Sequence, residues 1–89
     1  MKAIYVYEGH KFVFERTFMK NVLYIDDKSV DQQGGMFLKD VKSIYSGDLV
    51  TDDGVRHSVQ ASIDSGFDTG KKCVSFNVDG INVGKAELK

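Results

Sequence analysis

The feature that most constrains this chain is a two-residue beat. From Val55 to Ile63, the residues Val55, His57, Val59, Ala61 and Ile63 alternate with Arg56, Ser58, Gln60 and Ser62. Successive side chains of a strand point to opposite faces, so this run lays an apolar row and a polar row on the two sides of a sheet. A helix would scatter both sets around its axis. The beat recurs along the chain and is punctuated by Gly, Asp and Asn, with no proline anywhere. Turn signals spaced about 8–12 residues apart mark a sandwich or barrel and leave too little room for helices between strands. The expected fold is all-β, an antiparallel β-sandwich or flattened barrel of successive hairpins forming a single domain over residues 1–89. One short helical turn near 36–45 is the only exception the sequence suggests.

The first hairpin reads Ala3–Tyr7, a turn at Glu8-Gly9, then 10–18. Phe12 and Phe14 share one face of the return strand, with Lys11, Val13 and Glu15 on the other. The alternating pattern puts Phe12 and Phe14 on one face with Ile4 and Val6 as their expected core partners. Tyr5 and Tyr7 then join Val13 on the opposite face. The second hairpin runs Asn21–Ile25, turns at Asp26-Asp27 and resumes through Lys28–Val30, with Leu23 and Ile25 inward and Val22 and Tyr24 outward. The Val55–Ile63 strand follows a turn at Thr51-Asp52-Asp53-Gly54. The closing hairpin, Val74–Val78, Asp79-Gly80 and Ile81–Val83, carries the strongest turn signal. A type I′ turn needs positive φ at both central positions, which Asp-Gly supplies.

One segment fits two templates. Residues 36–45 read as strands 36–38 and 43–45 around a turn near Lys39-Asp40, or as a helical turn carrying Phe37, Val41, Ile44 and Tyr45. The β-rich neighbours, and Gly34-Gly35 as a poor helix start, favour strands. A second feature is an echo. Leu23-Tyr24-Ile25-Asp26-Asp27 with Val30 parallels Phe76-Asn77-Val78-Asp79-Gly80 with Val83. Either any two hairpins resemble each other, or two related halves pack face to face.

Length and charge narrow the function. Eighty-nine residues hold one core. The formal net charge is −1 with both signs interspersed, whereas binders of nucleic acid or anionic membrane carry a basic excess. Neither partner is expected. The lone cysteine, Cys73, excludes an intrachain disulfide and favours a reducing compartment. The apolar stretch Ala3–Tyr7 ends at Glu8, shorter than a signal-peptide core, and no stretch approaches a membrane span. A soluble, cytoplasmic protein is the expectation.

No grouping of residues points to chemistry. Nucleophilic catalysis needs a nucleophile, a base and an orienting group together, and Cys73, His10 and His57 share no motif. His57 reads as a hydrogen-bonded histidine, interior or half-buried, and His10 as a solvated one. Zinc wants clustered Cys and His. The pairs Asp26-Asp27 and Asp52-Asp53, with Asp64 and Asp68, miss the calcium-loop spacing and suit turns. Thr69-Gly70-Lys71-Lys72 lacks the rest of a phosphate loop. No catalytic residue, metal or cofactor is therefore assigned, and the protein is expected not to be an enzyme.

Binding is the remaining class. Tyrosines are enriched at interfaces, so Tyr5, Tyr7, Val13 and Tyr24 form the candidate docking face for a protein partner or a second copy in a homodimer. Two alternatives stand beside it. Lys11, Phe12, Phe14, Arg16 and Lys20 suggest a single-strand nucleic-acid binder of oligonucleotide-barrel type. His57 or Cys73 would serve a small-ligand or enzymatic site assembled in an oligomer.

The stretch 22–83 resembles the C-terminal β-sandwich domain of the Fas apoptotic inhibitory molecule family and its small bacterial look-alikes. The resemblance rests on Val22-Leu23-Tyr24-Ile25-Asp26-Asp27-Lys28, Met36-Phe37-Leu38, Ser65-Gly66-Phe67 and Val74-Ser75-Phe76-Asn77-Val78-Asp79-Gly80. Asp27 stands where that family has a turn glycine, and the chain lacks the tryptophan the family often carries before its M-F strand. The resemblance implies a compact antiparallel sandwich with a non-catalytic, protein-interaction role.

Overall fold

The computed structural model describes residues 1–17, 20–34, 44–65 and 72–89. Eight strands follow in chain order: β1 (Lys2–Tyr7), β2 (His10–Arg16), β3 (Lys20–Ile25), β4 (Lys28–Gly34), β5 (Ile44–Val50), β6 (Arg56–Ser65), β7 (Lys72–Val78) and β8 (Ile81–Glu87). They form two four-stranded antiparallel sheets, β1-β2-β3-β4 and β5-β6-β7-β8, each a meander of successive hairpins. The all-β expectation holds. Of the two-template segment, 36–43 lies outside the described residues, and Ile44 and Tyr45 open β5.

Tight turns set the register. Glu8 and Gly9 both have positive φ (47° and 79°), the signature of a two-residue type I′ turn. Such a turn pairs Tyr7 with His10, and every pair back along the hairpin follows: Tyr5 opposite Phe12, Ala3 opposite Phe14, Ile4 opposite Val13. This corrects the expectation that Ile4 and Val6 partner Phe12 and Phe14. Tyr5 and Tyr7 share the inner face with the phenylalanines, while Ile4 and Val6 point outward. Pairing parity outweighs the preference of isoleucine over tyrosine for the interior, because a one-residue slip would turn every side chain over. Tyrosine tolerates the inner position by keeping its hydroxyl partnered. The Tyr5 hydroxyl donates to the Val83 carbonyl, and the Tyr5 ring stacks on Phe76 at 5.7 Å.

The core lies between the sheets. Phe12, Phe14, Leu23 and Ile25 of the first meet Tyr45, Leu49, Val59, Ala61, Val74, Phe76 and Val78 of the second. Ring contacts link the layers, Phe12 to Phe76 at 5.8 Å and Phe14 to Tyr45 at 5.0 Å. Both edges are joined as well. Lys2 and Lys89 exchange two backbone hydrogen bonds (2.7 and 3.0 Å), and the Asp31 carboxylate accepts from Ser46 N–H at 2.9 Å. Each seam also uses a glycine. A Cβ on Gly84 would lie 2.5 Å from the Tyr5 ring, and one on Gly47 the same distance from Val30. The result is a flattened barrel.

The sequence echo is structural. Both Asp26-Asp27 and Asp79-Gly80 turn with positive φ at the two central positions. A register shift sits between Leu23 and Tyr24 in one sheet and between Phe76 and Asn77 in the other. Anchoring Phe12 on Val59 and Ile25 on Val78 brings the two meanders into register strand by strand. The two halves match in structure and pack face to face.

One buried polar group tests this core. Asn21, 2% exposed, donates from Nδ2 to the Tyr45 hydroxyl at 3.1 Å. Tyr45→Phe removes that acceptor while leaving the ring. A buried donor left unpaired costs about 1–3 kcal/mol, so urea unfolding is expected to show a loss of that size with an unchanged slope. An unchanged midpoint would contradict the assignment.

Candidate docking face

Alternation delivers a defined set of side chains to the outer face of the first sheet. In register across the strands, the middle row is Ile4, Val13 and Tyr24. One pleat to one side lie Lys2, Glu15 and Val22, and one pleat to the other lie Val6 and Lys11, with Asp27 at the adjoining turn. Ile4 and Val6 are 55% and 62% exposed, Val13 and Tyr24 are half-buried, and Val22 is buried. Ile4, Val13 and Tyr24 floor a shallow groove of about 320 Å³ whose rim carries Lys2, Lys11, Glu15 and Asp27. The rim charges pair across strands, Lys2 with Glu15 at 3.4 Å and Lys11 with Asp27 at 2.9 Å.

The residues expected to form one face are therefore divided. Val13 and Tyr24 are brought together on the outside. Tyr5 and Tyr7 are turned into the core, where Tyr7 stacks on Phe12 at 6.1 Å. Ile4 and Val6 take the outward places that had been expected for the tyrosines. The signal that could have found them is arithmetic: with a two-residue turn at 8–9, paired residue numbers sum to 17, which places Ile4 with Val13.

The second sheet supplies a comparison within the molecule. At the positions equivalent to Ile4, Val6, Val13, Val22 and Tyr24 it carries Ser46, Asp48, Gln60, Ser75 and Asn77. The same scaffold thus presents a polar outer face in one copy and an apolar one in the other. A sheet of this kind needs only its inner face apolar. Val22 is buried within the chain and belongs to its packing, whereas Ile4 and Val6 stand open to solvent.

Other candidates resolve into structure. His10 Nδ1 lies 2.7 Å from the Asp26 carboxylate, whose other oxygen accepts from Lys11 N–H at 2.9 Å. His57 repeats the arrangement with Asp79 at 2.6 Å, and Asp79 accepts from Ser58 N–H at 3.0 Å. The solvated histidine expected at position 10 is thus held by a carboxylate. Each pair clasps a β-turn to the start of a neighbouring strand, as part of the repeat. Cys73 pairs with Asp64 at the far end of the second sheet from Asp79, roughly 20 Å away by strand rise. His57 and Cys73 are not brought together. Phe12 and Phe14, the bases' expected stacking partners, are fully buried. Asp53 accepts from Thr51 Oγ1 and Val55 N–H, closing its own turn. Among the described residues no three His, Cys, Asp or Glu side chains gather as metal ligands, and no helix is long and apolar enough to cross a membrane.

Comparison with known protein families, curated proteins and solved structures finds no match for this chain.

The clasps carry a pH signature. The hydrogen bond to Asp79 raises the His57 pKa from its ordinary 6.5, and the bond from His57 lowers that of Asp79 from 3.8. A raised histidine contributes stability that is complete below 6.5 and fades as pH rises through its folded value. A lowered aspartate contributes stability that is complete above 3.8 and fades as pH falls through its folded value. Asp79→Asn keeps the acceptor for Ser58 and loses the charge. Its deficit in melting temperature relative to the wild type is expected to be widest between about pH 4 and 6.5 and to narrow on both sides. A deficit that does not vary with pH would contradict the ionic clasp.

Proposed function

We propose that this domain is a non-enzymatic binding module that docks another protein chain on the outer face of its first sheet. The observation that carries the reading is the contrast between the two halves. Four outward positions that the chain leaves at least partly open, Ile4, Val6, Val13 and Tyr24, are apolar where the second sheet carries Ser46, Asp48, Gln60 and Asn77, on the same backbone and in the same register. Exposed apolar surface ringed by charge is the composition of an interface, with an apolar centre and a polar rim. Covering Ile4 and Val6 alone, from their present exposure, contributes about 2–3 kcal/mol by the usual value for burying such side chains.

The charge balance supports a protein over a nucleic acid as occupant. Lys2 and Lys11 on this face are each matched by a carboxylate, leaving no basic stripe for phosphates. The resemblance to the Fas apoptotic inhibitory molecule family agrees with a non-catalytic interaction role. The single free thiol supports a reducing, cytoplasmic setting.

The test replaces the face with residues its twin already carries: Ile4→Ser, Val13→Gln and Tyr24→Asn together. The triple variant is expected to melt within a few degrees of the wild type while losing the protein contacts that the wild type makes. Both are immobilised separately, and the retained proteins are quantified by mass spectrometry with the chain itself included among them. An identical set retained by both would overturn the reading.

A further inference from the structure

The docking face has a property that selects its occupant. On β2 the outward row reads Lys11, Val13, Glu15, opposite charges one pleat either side of an apolar centre. From this arrangement we infer that the occupant is a second copy of the chain, seated face to face in a twofold dimer. The inference rests on the docking reading above.

An isologous interface must be self-complementary, because each residue meets a group of the same surface related by the axis. Consider a twofold axis lying between the two faces, perpendicular to β2 and passing over Val13. It reverses the order along β2. Lys11 then lies against Glu15 of the second copy, and Glu15 against its Lys11, giving two ion pairs from one operation. Val13 meets Val13. The middle row is in register, so Ile4 meets Ile4 and Tyr24 meets Tyr24. On β1, where Lys2 and Val6 flank Ile4, the axis lays the Lys2 stem along the apolar Val6, a use of lysine that leaves its ammonium in water. The existing pairs Lys2–Glu15 and Lys11–Asp27 extend each new contact into an alternating run of four charges. An axis parallel to β2 would instead oppose Lys11 to Lys11 and Glu15 to Glu15, so the charges specify the orientation as well as the partner.

The packing is of an ordinary kind. Reversal about this axis leaves the strands of the two faces nearly aligned, which is how twisted sheets stack. The equivalent outward row of β6, Ser58, Gln60 and Ser62, carries no charge pattern, so the face of the second sheet has no such self-complementarity. Size sets the strength. Three strands about 4.8 Å apart and three side-chain rows about 6.8 Å apart cover roughly 300 Å² on each copy. That is well below the standard size and in the range of weak, transient encounters, so a reversible dimer with a dissociation constant of roughly 10 μM to 1 mM is expected.

Sedimentation equilibrium across that concentration range tests the inference with two charge variants, each first shown to keep the wild-type melting curve. Lys11→Glu gives a face with two acids on this row and Glu15→Lys a face with two bases. Each alone is expected to weaken self-association by about tenfold or more. An equimolar mixture of the two is expected to dimerise at least as tightly as the wild type. A wild type that stays monomeric at 1 mM, or a dimer indifferent to both variants, overturns the inference. In that event, loss of a different protein by the Ile4→Ser, Val13→Gln, Tyr24→Asn variant would leave the docking reading standing, and no such loss would remove both.

Discussion

The positive-φ turn at Glu8-Gly9 determines which side of the first strand faces the core. With both turn residues in the left-handed region, Tyr7 pairs with His10 and no other register is open to the hairpin. Parity then sends Ala3, Tyr5 and Tyr7 inward with Phe12 and Phe14. Ile4 and Val6 are sent out. The stacked rings of Tyr5, Phe12 and Phe76 and the apolar outer row follow from one turn. Burying Tyr5 also joins the sheets, since its hydroxyl reaches the Val83 carbonyl across the seam and its ring occupies the space that Gly84 leaves open.

A second consequence follows from the repeat. Each half contains a histidine-aspartate clasp, His10 with Asp26 and His57 with Asp79. In both, the carboxylate also accepts a backbone N–H one residue beyond the histidine. The clasp ties the turn after the third strand of a sheet to the start of the second. Because the two halves share one register, the exposed positions where they differ in polarity, Ile4 and Val6 against Ser46 and Asp48, are not set by strand pairing. The first half keeps isoleucine, valine and tyrosine facing out where the second has serine, glutamine and asparagine. This contrast is what the functional proposal rests on.

Much of the architecture was legible in the sequence. The two-residue beat and the Asp-Gly and Asp-Asp turns located the hairpins, because both are local properties of backbone sterics. The echo between 23–30 and 76–83 points to the repeat but spans only its third and fourth strands. It extends to His10 and His57, and histidine's shared partner became visible only when two strands lay side by side. The inside-outside assignment of β1 failed for a different reason. Side-chain hydrophobicity differs little between tyrosine and isoleucine when a tyrosine hydroxyl finds a partner, whereas register is absolute. Beyond Tyr45 the strand β5 carries a weak sequence signal, since Ser46, Gly47 and Asp48 lower its strand propensity. Gly47 is there for close approach to Val30, which is a property of the assembled barrel.

The assignment of faces on β1 underlies the core, the seam and the docking surface alike, and nuclear magnetic resonance with a soluble paramagnetic agent tests it directly. At low protein concentration the methyl groups of Ile4 and Val6 are expected to relax strongly, while the rings of Tyr5, Phe12 and Phe76 stay protected. Protected Ile4 and Val6 methyls beside a strongly relaxed Tyr5 ring would mean that the strand is turned over, and the account would fail with it.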